Sequence, residues 1–145
     1  MDVAMSWLWR LLQRTELSGD GVCPPYLVKY RLLSTRWGGI YLHQFLADDW
    51  SLDLHDHPYR MISIGLTGGY DEELLTGAGT QTVAWRAPWV RMFPATHAHR
   101  IRLQPGQPCW TLVISLRGHR PWGFYREGRW TPASDYIAGT PRRAC

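Results

Sequence analysis

A chain of 145 residues with 45% hydrophobic and 19% charged residues has the size and composition of one globular domain, not of a disordered protein. The formal net charge of +4 comes almost entirely from arginines scattered along the chain, which argues against a nucleic-acid-binding patch. The three cysteines are odd in number and lack CxxC spacing, so the sequence indicates neither a disulfide framework nor a thiolate zinc site, and a reducing, cytoplasmic compartment is expected.

The first predicted element is a short helix over residues 1–17. Its apolar residues recur at helical spacing, at Trp7, Leu8, Leu11 and Leu12. We expect this stripe to pack on the rest of the protein or on a second subunit. The apolar run is too short to cross a bilayer, and Asp2 and Arg10 do not suit a signal peptide, so no membrane partner is expected.

From residue 18 onwards the pattern changes to short strand-like runs separated by glycine and proline turn signals. The predicted strands cover residues 26–33, 39–46, 60–67, 70–75, 80–87, 99–103, 110–117 and 122–126. Many short strands at spacings of about ten residues are typical of a β-sandwich or barrel. We therefore predict an all-β fold with one domain over residues 18–145, and no helix after residue 17.

The segment His55-Asp56-His57-Pro58 carries the strongest functional signal. Two histidines one residue apart point the same way on a strand, because side chains there alternate with period two. His99 shares its parity with two aliphatic residues of a later strand, so it points inward and can meet the pair across a barrel. Histidine is the commonest metal ligand, and we predict a metal site at these three residues. The alternatives are polar turn residues at the pair and a satisfied core histidine at position 99.

These motifs resemble those of the cupins, small jelly-roll barrels with a His-x-His, Glu, Gly first motif and a Pro, Gly, His second motif. The first pair and Gly68 match the first motif, while Pro94 and His99 match the second, with Thr96 where the glycine belongs. The resemblance covers roughly residues 26–126. It implies a cupin-type jelly-roll barrel, which the predicted N-terminal helix would precede.

The sequence resembles more closely a largely uncharacterised set of bacterial and phage cupin-like proteins that share the His-Asp-His-Pro segment. One departure from the cupin motif is Met61, which stands where the ligand glutamate belongs and is a poor ligand for a hard or borderline metal. Glu72 is the first substitute to consider, followed by His97 and His43. Without a substitute, the resemblance implies a three-histidine site like that of thiol dioxygenases, or a metal-free site like that of cupin-fold sugar epimerases.

The site prediction assigns further roles to residues near the histidines. Tyr70 and Glu72 share a strand face and are candidates for proton donor and base. Arg86 and Arg91 are candidates for binding an anionic substrate, and Trp122 for lining the pocket. The alternatives are exterior ion-paired arginines and ordinary strand packing. Asp56 is expected either to anchor an imidazole N–H or to form a turn.

The sequence leaves two classes of function open. The first is a metal-dependent enzyme acting on a small polar or anionic molecule, with Fe(II) favoured over zinc or nickel and non-haem iron oxygenation as the expected chemistry. A metal-free isomerase or epimerase is the alternative within the enzyme class. The second class is a non-catalytic ligand-binding or assembly module. Exposed sheet edges need cover, so a homodimer is expected.

Overall fold

The computed structural model describes residues 13–19, 23–118 and 120–140, and within them it contains twelve strands and one helix. They are β1 (Gln13–Leu17), β2 (Leu27–Thr35), β3 (Gly38–Phe45), β4 (Leu54–His55), β5 (Met61–Thr67), β6 (Gly69–Thr76), β7 (Gly79–Arg86), β8 (Trp89–Phe93), β9 (His99–Leu103), β10 (Cys109–Leu116), β11 (Gly123–Arg126), β12 (Arg129–Pro132) and α1 (Ala133–Gly139). Each predicted strand corresponds to one of these, with ends within two residues.

The strands form two six-stranded antiparallel sheets that face each other. The first sheet has the order β1-β2-β3-β10-β5-β8, and the second has the order β12-β11-β4-β9-β6-β7. Neighbours in each sheet are mostly remote in sequence, which is the jelly-roll arrangement, and the predicted all-β fold is confirmed. None of the described segments contains a helix with the length and apolar character needed to cross a bilayer.

Three expectations are corrected by the structure. Residues 13–17 form strand β1, paired with β2, instead of the end of the predicted helix, whose first twelve residues lie outside the described ones. A C-terminal helix, α1, is present although none was predicted, and its Tyr136 ring stacks on Phe124 with centroids 3.9 Å apart. Cys23 is disulfide-bonded, whereas Cys109 is free and buried, so the expectation of no disulfide is wrong.

The first sheet directs its smaller side chains between the sheets and its larger aliphatic ones outward. On β5, Met61, Ser63 and Gly65 are buried, whereas Ile62 and Ile64 on the opposite face are partly exposed. Strand β10 repeats this pattern. Small inward side chains cannot fill the space between two sheets that lie about 10 Å apart, so a cavity is left inside the jelly roll.

Candidate metal centre and cavity

The interior of the jelly roll contains a cavity of about 300 Å³. Both sheets contribute to its wall, and the three predicted metal ligands, His55, His57 and His99, line it together. Aromatic side chains of Tyr70 and Phe93 form part of the rest of the wall. The volume is at the lower end of the range for small-molecule sites, so the cavity suits a small ligand.

Strands β4 and β9 bring the three histidines together. His55 is the Cα partner of His99 in the antiparallel pair, and His57 follows β4 by two residues on the same side. One ligand nitrogen of each residue lies within 4.8 Å of the other two, and the Nε2 atoms of His57 and His99 are 3.0 Å apart. The structure thus brings the pair and the distant histidine into one cluster, which we call the imidazole cluster.

The donor set of the imidazole cluster fits a divalent transition metal. Imidazole nitrogens lie about 2.0–2.1 Å from such an ion, so two of them are about 2.8–3.4 Å apart for bond angles between a right angle and the tetrahedral value. The 3.0 Å separation between His57 and His99 agrees with that range. Because the three residues face an open cavity, an ion held there would keep positions free for substrate, as catalytic sites require.

Glu72 lies behind the imidazole cluster and fixes the orientation of His99. Its Oε1 atom accepts hydrogen bonds from His99 Nδ1 at 2.5 Å and from His97 Nε2 at 2.8 Å. Arg91 donates to both of its oxygens, at 2.6 and 3.1 Å, and Trp85 Nε1 donates to Oε2 at 2.9 Å. A carboxylate only accepts, so His99 carries its proton on Nδ1 and presents the Nε2 lone pair to the cavity. Carboxylates commonly orient metal-ligating histidines in this way.

The electrostatics of the site keep Glu72 ionised and two of the imidazoles neutral. Burial alone would raise the pKa of Glu72, but hydrogen bonds from His97, His99 and Arg91 lower it well below its usual range. Burial, together with the neighbouring His99, holds the pKa values of His55 and His57 well below the ordinary value. Neutral imidazoles are the form that binds a metal.

A second group of potential ligands shares His99 with the imidazole cluster. Ligand atoms of Glu72, His97 and His99 also lie within 4.8 Å of one another. Glu72 is fully buried, however, and its oxygens already accept from Arg91 and Trp85. Neither Glu72 nor His97 lines the cavity. This group therefore lacks the access to a substrate that the imidazole cluster has.

The other predicted site residues divide between the cavity wall and the exterior. Tyr70 and Trp122 line the cavity, and burial raises the pKa of the Tyr70 phenol, so Tyr70 stays protonated and can donate a hydrogen bond. Arg86 lies outside, where it donates to Asp71 Oδ1 at 2.8 Å. Arg91 is nearly buried, bound to Glu72 and stacked over the rings of Trp85 and Phe93, and it does not reach the cavity.

Asp56 and Met61, which lie close to the proposed ligands in sequence, make contacts that hold the fold together. Asp56 is fully buried and accepts hydrogen bonds from the Gly123 backbone at 2.7 Å, from Arg120 at 3.0 Å and from Trp130 at 3.2 Å. It therefore joins the end of β4 to β11 and β12, and it does not contact an imidazole. Met61 lines the cavity from the opposite sheet and packs on Phe93.

Among the polar residues of the cavity wall, sequence reasoning missed Lys29, Asp49 and Thr111 entirely, and His43 except as a substitute ligand. Burial and the nearby Lys29 lower the pKa of His43 to about 3. Asp49 Oδ2 accepts from the Ile101 backbone at 2.8 Å and lies 3.8 Å from His55 Nδ1. The one available signal was that Lys29 is the only lysine of the chain.

Comparison with known proteins supports the fold. No family model matches the chain, and no curated protein matches it either. Among solved structures, a cupin-2 domain protein, Rru_A2000 from Rhodospirillum rubrum, is 12% identical with a TM-score of 0.65, covering 90% of this chain and 87% of that one. A proposed mannose-6-phosphate isomerase from Ralstonia eutropha JMP134 is 16% identical with a TM-score of 0.56, covering 72% and 99%.

A crystal structure of FeII HppE is 12% identical with a TM-score of 0.58, and the match covers 72% of this chain. The chain spans only 56% of the length of that protein. Identities this low show a common fold and nothing about activity. The two facing sheets, the histidines at the end of β4 and on β9, and these structural matches lead to one conclusion, which is that the chain has the cupin fold.

Proposed function

We propose that the protein is a metal-dependent enzyme that acts on a small polar or anionic molecule in the cavity, with non-haem iron oxygenation as its reaction class. The observation that carries the proposal is the imidazole cluster, in which His99 is oriented by a buried carboxylate and all three ligand residues line one cavity. The neighbour FeII HppE is an iron-containing structure with the same fold, so Fe(II) is the first metal to test here, ahead of zinc and nickel.

Each of the chain's own groups has a proposed part in this function. His55, His57 and His99 hold the ion, which would supply a Lewis acid and, if it is iron, a redox centre. Glu72 is a positioning residue that fixes the tautomer of His99, in place of the catalytic base expected from the sequence. Tyr70 donates a hydrogen bond or a proton to substrate.

The first experiment measures metal content in protein purified without a polyhistidine tag and loaded anaerobically with Fe(II). We expect close to one equivalent in the wild type and none in His99→Ala. Less than about 0.1 equivalents in the wild type would refute the metal proposal.

A matched pair of variants then distinguishes the two potential ligand groups, because His57 belongs only to the imidazole cluster and His97 only to the group with Glu72. His57→Ala should abolish loading and His97→Ala should retain it. The reverse result would move the ion to the other group.

A metal-free isomerase is the second candidate, and one contact favours it. The 3.0 Å distance between His57 Nε2 and His99 Nε2 allows a direct hydrogen bond, so the cluster is also satisfied without an ion. Tyr70 and a cavity histidine would then supply the acid and the base. Solvent deuterium exchange into a sugar nucleotide by chelator-treated protein tests this candidate. No exchange and no metal uptake together would leave a non-catalytic binding module.

The expected homodimer and cytoplasmic location stay proposals. Strand β8 forms an edge of the first sheet, and its outward residues Val90 and Met92 are 74% and 66% exposed, which suits pairing with a second copy. Light scattering after size exclusion should give twice the monomer mass, and Val90→Asp should reduce it to that of a monomer. Val83→Asp, at an exposed position of β7 in the other sheet, is the control. A monomeric wild type would refute the dimer.

A further inference from the structure

A row of three polar side chains crosses the cavity wall of the first sheet, away from the imidazole cluster in sequence. Lys29 on β2 is the Cα partner of His43 on β3, and His43 is in turn the partner of Thr111 on β10. All three line the cavity. Directly opposed residues on neighbouring antiparallel strands have Cβ atoms about 4.5–5.5 Å apart, so the three side chains form one continuous patch, the polar row.

Thr111 has an unsatisfied hydroxyl in this row. The residue is only 1% exposed, and its Oγ1 atom has no hydrogen-bond partner within the described part of the chain. Buried hydroxyls nearly always have a partner, because leaving one unpaired is unfavourable. Since Thr111 faces the cavity, a ligand in the cavity is the partner that the geometry offers.

Lys29 has an unpaired charge in the same row. Across residues 13–19, 23–118 and 120–140, its ammonium forms no hydrogen bond and no ion pair. Burial lowers its pKa, and its positive charge in turn lowers the pKa values of His43, His55 and His57. Lys29 also lines the same cavity as the three residues of the imidazole cluster. Asp49, the carboxylate on the cavity wall, is bound to the Ile101 backbone instead.

We propose that Lys29, His43 and Thr111 form an oxyanion-binding subsite, which takes a carboxylate or phosphoryl group of a substrate whose reacting end lies at the imidazole cluster. The ammonium supplies charge, the Thr111 hydroxyl donates to one ligand oxygen, and the neutral imidazole of His43 donates through its one N–H. The inference deepens the proposed function by naming the substrate class. It rests on that function only in placing the reacting end of the substrate at the imidazole cluster. Anion binding at the row does not itself require a metal.

The test measures thermal unfolding of the full chain, treated with a chelator, as inorganic phosphate or malonate replaces chloride at constant ionic strength. The two probes distinguish phosphoryl from carboxylate groups. Wild-type protein should show a saturable rise of Tm with at least one probe, and Lys29→Met should lose it. Both anions also stabilise proteins non-specifically, so Arg86→Met, which removes an exterior cation outside the cavity, is the control and should retain the saturable rise.

Thr111→Val keeps the shape of the side chain and removes only the hydroxyl, so it reports on the subsite even if Lys29→Met does not fold. Loss of one hydrogen bond to a charged group should weaken the probe affinity roughly 10- to 100-fold. Equal Tm rises in the wild type, Thr111→Val and Arg86→Met would overturn the subsite. Because the protein is metal-free throughout, this outcome is independent of iron loading, and a failure of the metal proposal leaves the anion result unaffected.

Discussion

Glu72→Gln is the substitution that tests the site most directly. The carboxylate is fully buried and accepts from His97, His99, Arg91 and Trp85, which are donors only in this arrangement. Glutamine has nearly the same shape, but one of its two terminal atoms is an NH₂ group. That NH₂ group would face N–H donors. The substitution would also remove the negative charge that pairs with Arg91.

The expected loss of stability follows from the burial of this ion pair. Removing one partner of a buried pair costs about 3–5 kcal/mol. Arg91 retains 12% exposure and can recruit some water, so we expect about 2–4 kcal/mol for Glu72→Gln. At roughly 3 °C per kcal/mol for a domain of this size, Tm should fall by about 6–12 °C. Urea unfolding followed by tryptophan fluorescence measures the free energy directly.

The same substitution should weaken metal binding, because His99 would lose the partner that fixes its tautomer. Loss of such a partner typically costs 10- to 100-fold in affinity. Competition between the folded protein and a chromophoric chelator for Zn²⁺ measures this at a temperature where both variants are native. A purely structural role for Glu72 would lower stability and leave the Zn²⁺ affinity of the folded protein unchanged.

Glu73→Gln is the matched control, since the same chemical change occurs one residue along the strand on the opposite face. Glu73 is partly exposed and pairs with Arg100 at 3.5 Å and with Arg102 at 3.2 Å. Such pairs contribute at most about 1 kcal/mol, and the metal affinity should not change. If Glu72→Gln and Glu73→Gln have the same urea midpoint and the same Zn²⁺ affinity, the reasoning about the buried carboxylate is wrong.

Three further predictions concern the fold around the site. The folded-state pKa of His43, about 3, is below its unfolded value near 6.5, so the unfolded chain binds the proton first and stability falls as pH drops from about 6.5 towards 3. His43→Gln should remove a slope of about 1.4 kcal/mol per pH unit from urea unfolding between pH 6 and 4, and an unchanged slope would contradict the assignment. Asp56→Asn should lower the free energy of unfolding by about 2–4 kcal/mol, since it leaves buried donors of the β11–β12 hairpin unpaired. A loss below about 0.5 kcal/mol would show that the hairpin does not need the Asp56 carboxylate. Gly68→Ala should lower the free energy of unfolding by several kcal/mol more than Gly106→Ala. Both glycines have φ near +70°, but only the Cβ at position 68 would meet a backbone oxygen, at 2.5 Å. Equal losses would mean that only the backbone strain of about 1–2 kcal/mol matters.

The sequence contained enough local information to predict eight of the twelve described strands and the grouping of His55, His57 and His99. His99 points inward because Ile101 and Leu103 share its parity, and all three are buried. The pairing of His55 with His99 was not predicted, because β4 is only two residues long, and the histidines meet on neighbouring strands of one sheet instead of across the barrel. Helix α1 escaped prediction because seven residues provide too little periodicity to recognise.

The sequence did not reveal which face of the first sheet points inward. On β5 and β10 the aliphatic residues share one parity, which would ordinarily indicate the core, yet the structure turns that face outward and encloses Ser63 and Thr111. The alternation of side chains along a strand separates two faces of the sheet. It does not say which face the other sheet covers when both faces carry apolar residues. For the same reason Lys29, which shares its parity on β2 with Leu27 and Arg31, gave no sign of facing a cavity.

The partners of Glu72 could not be predicted either, although its parity with Tyr70 was correct. Arg91 comes from the opposite sheet and His97 from a loop, so their meeting depends on the tertiary arrangement of both sheets. A carboxylate predicted to replace the missing ligand at Met61 instead lies behind a ligand.

An ion with a bound carboxylate loses part of its positive charge, whereas an ion held by three neutral imidazoles keeps all of it. Lys29 adds a further positive charge on the same cavity wall, and Asp49 is the one carboxylate that lines the cavity within the described residues. Burial raises the pKa of Asp49, so even that compensation is weakened. With an ion bound at the imidazole cluster as proposed, the small, mostly apolar cavity would hold two positive centres, which favour a ligand that brings negative charge to both. A neutral sugar leaves that charge uncompensated, and a small hydroxy acid or phosphorylated compound is the better candidate for a first substrate screen.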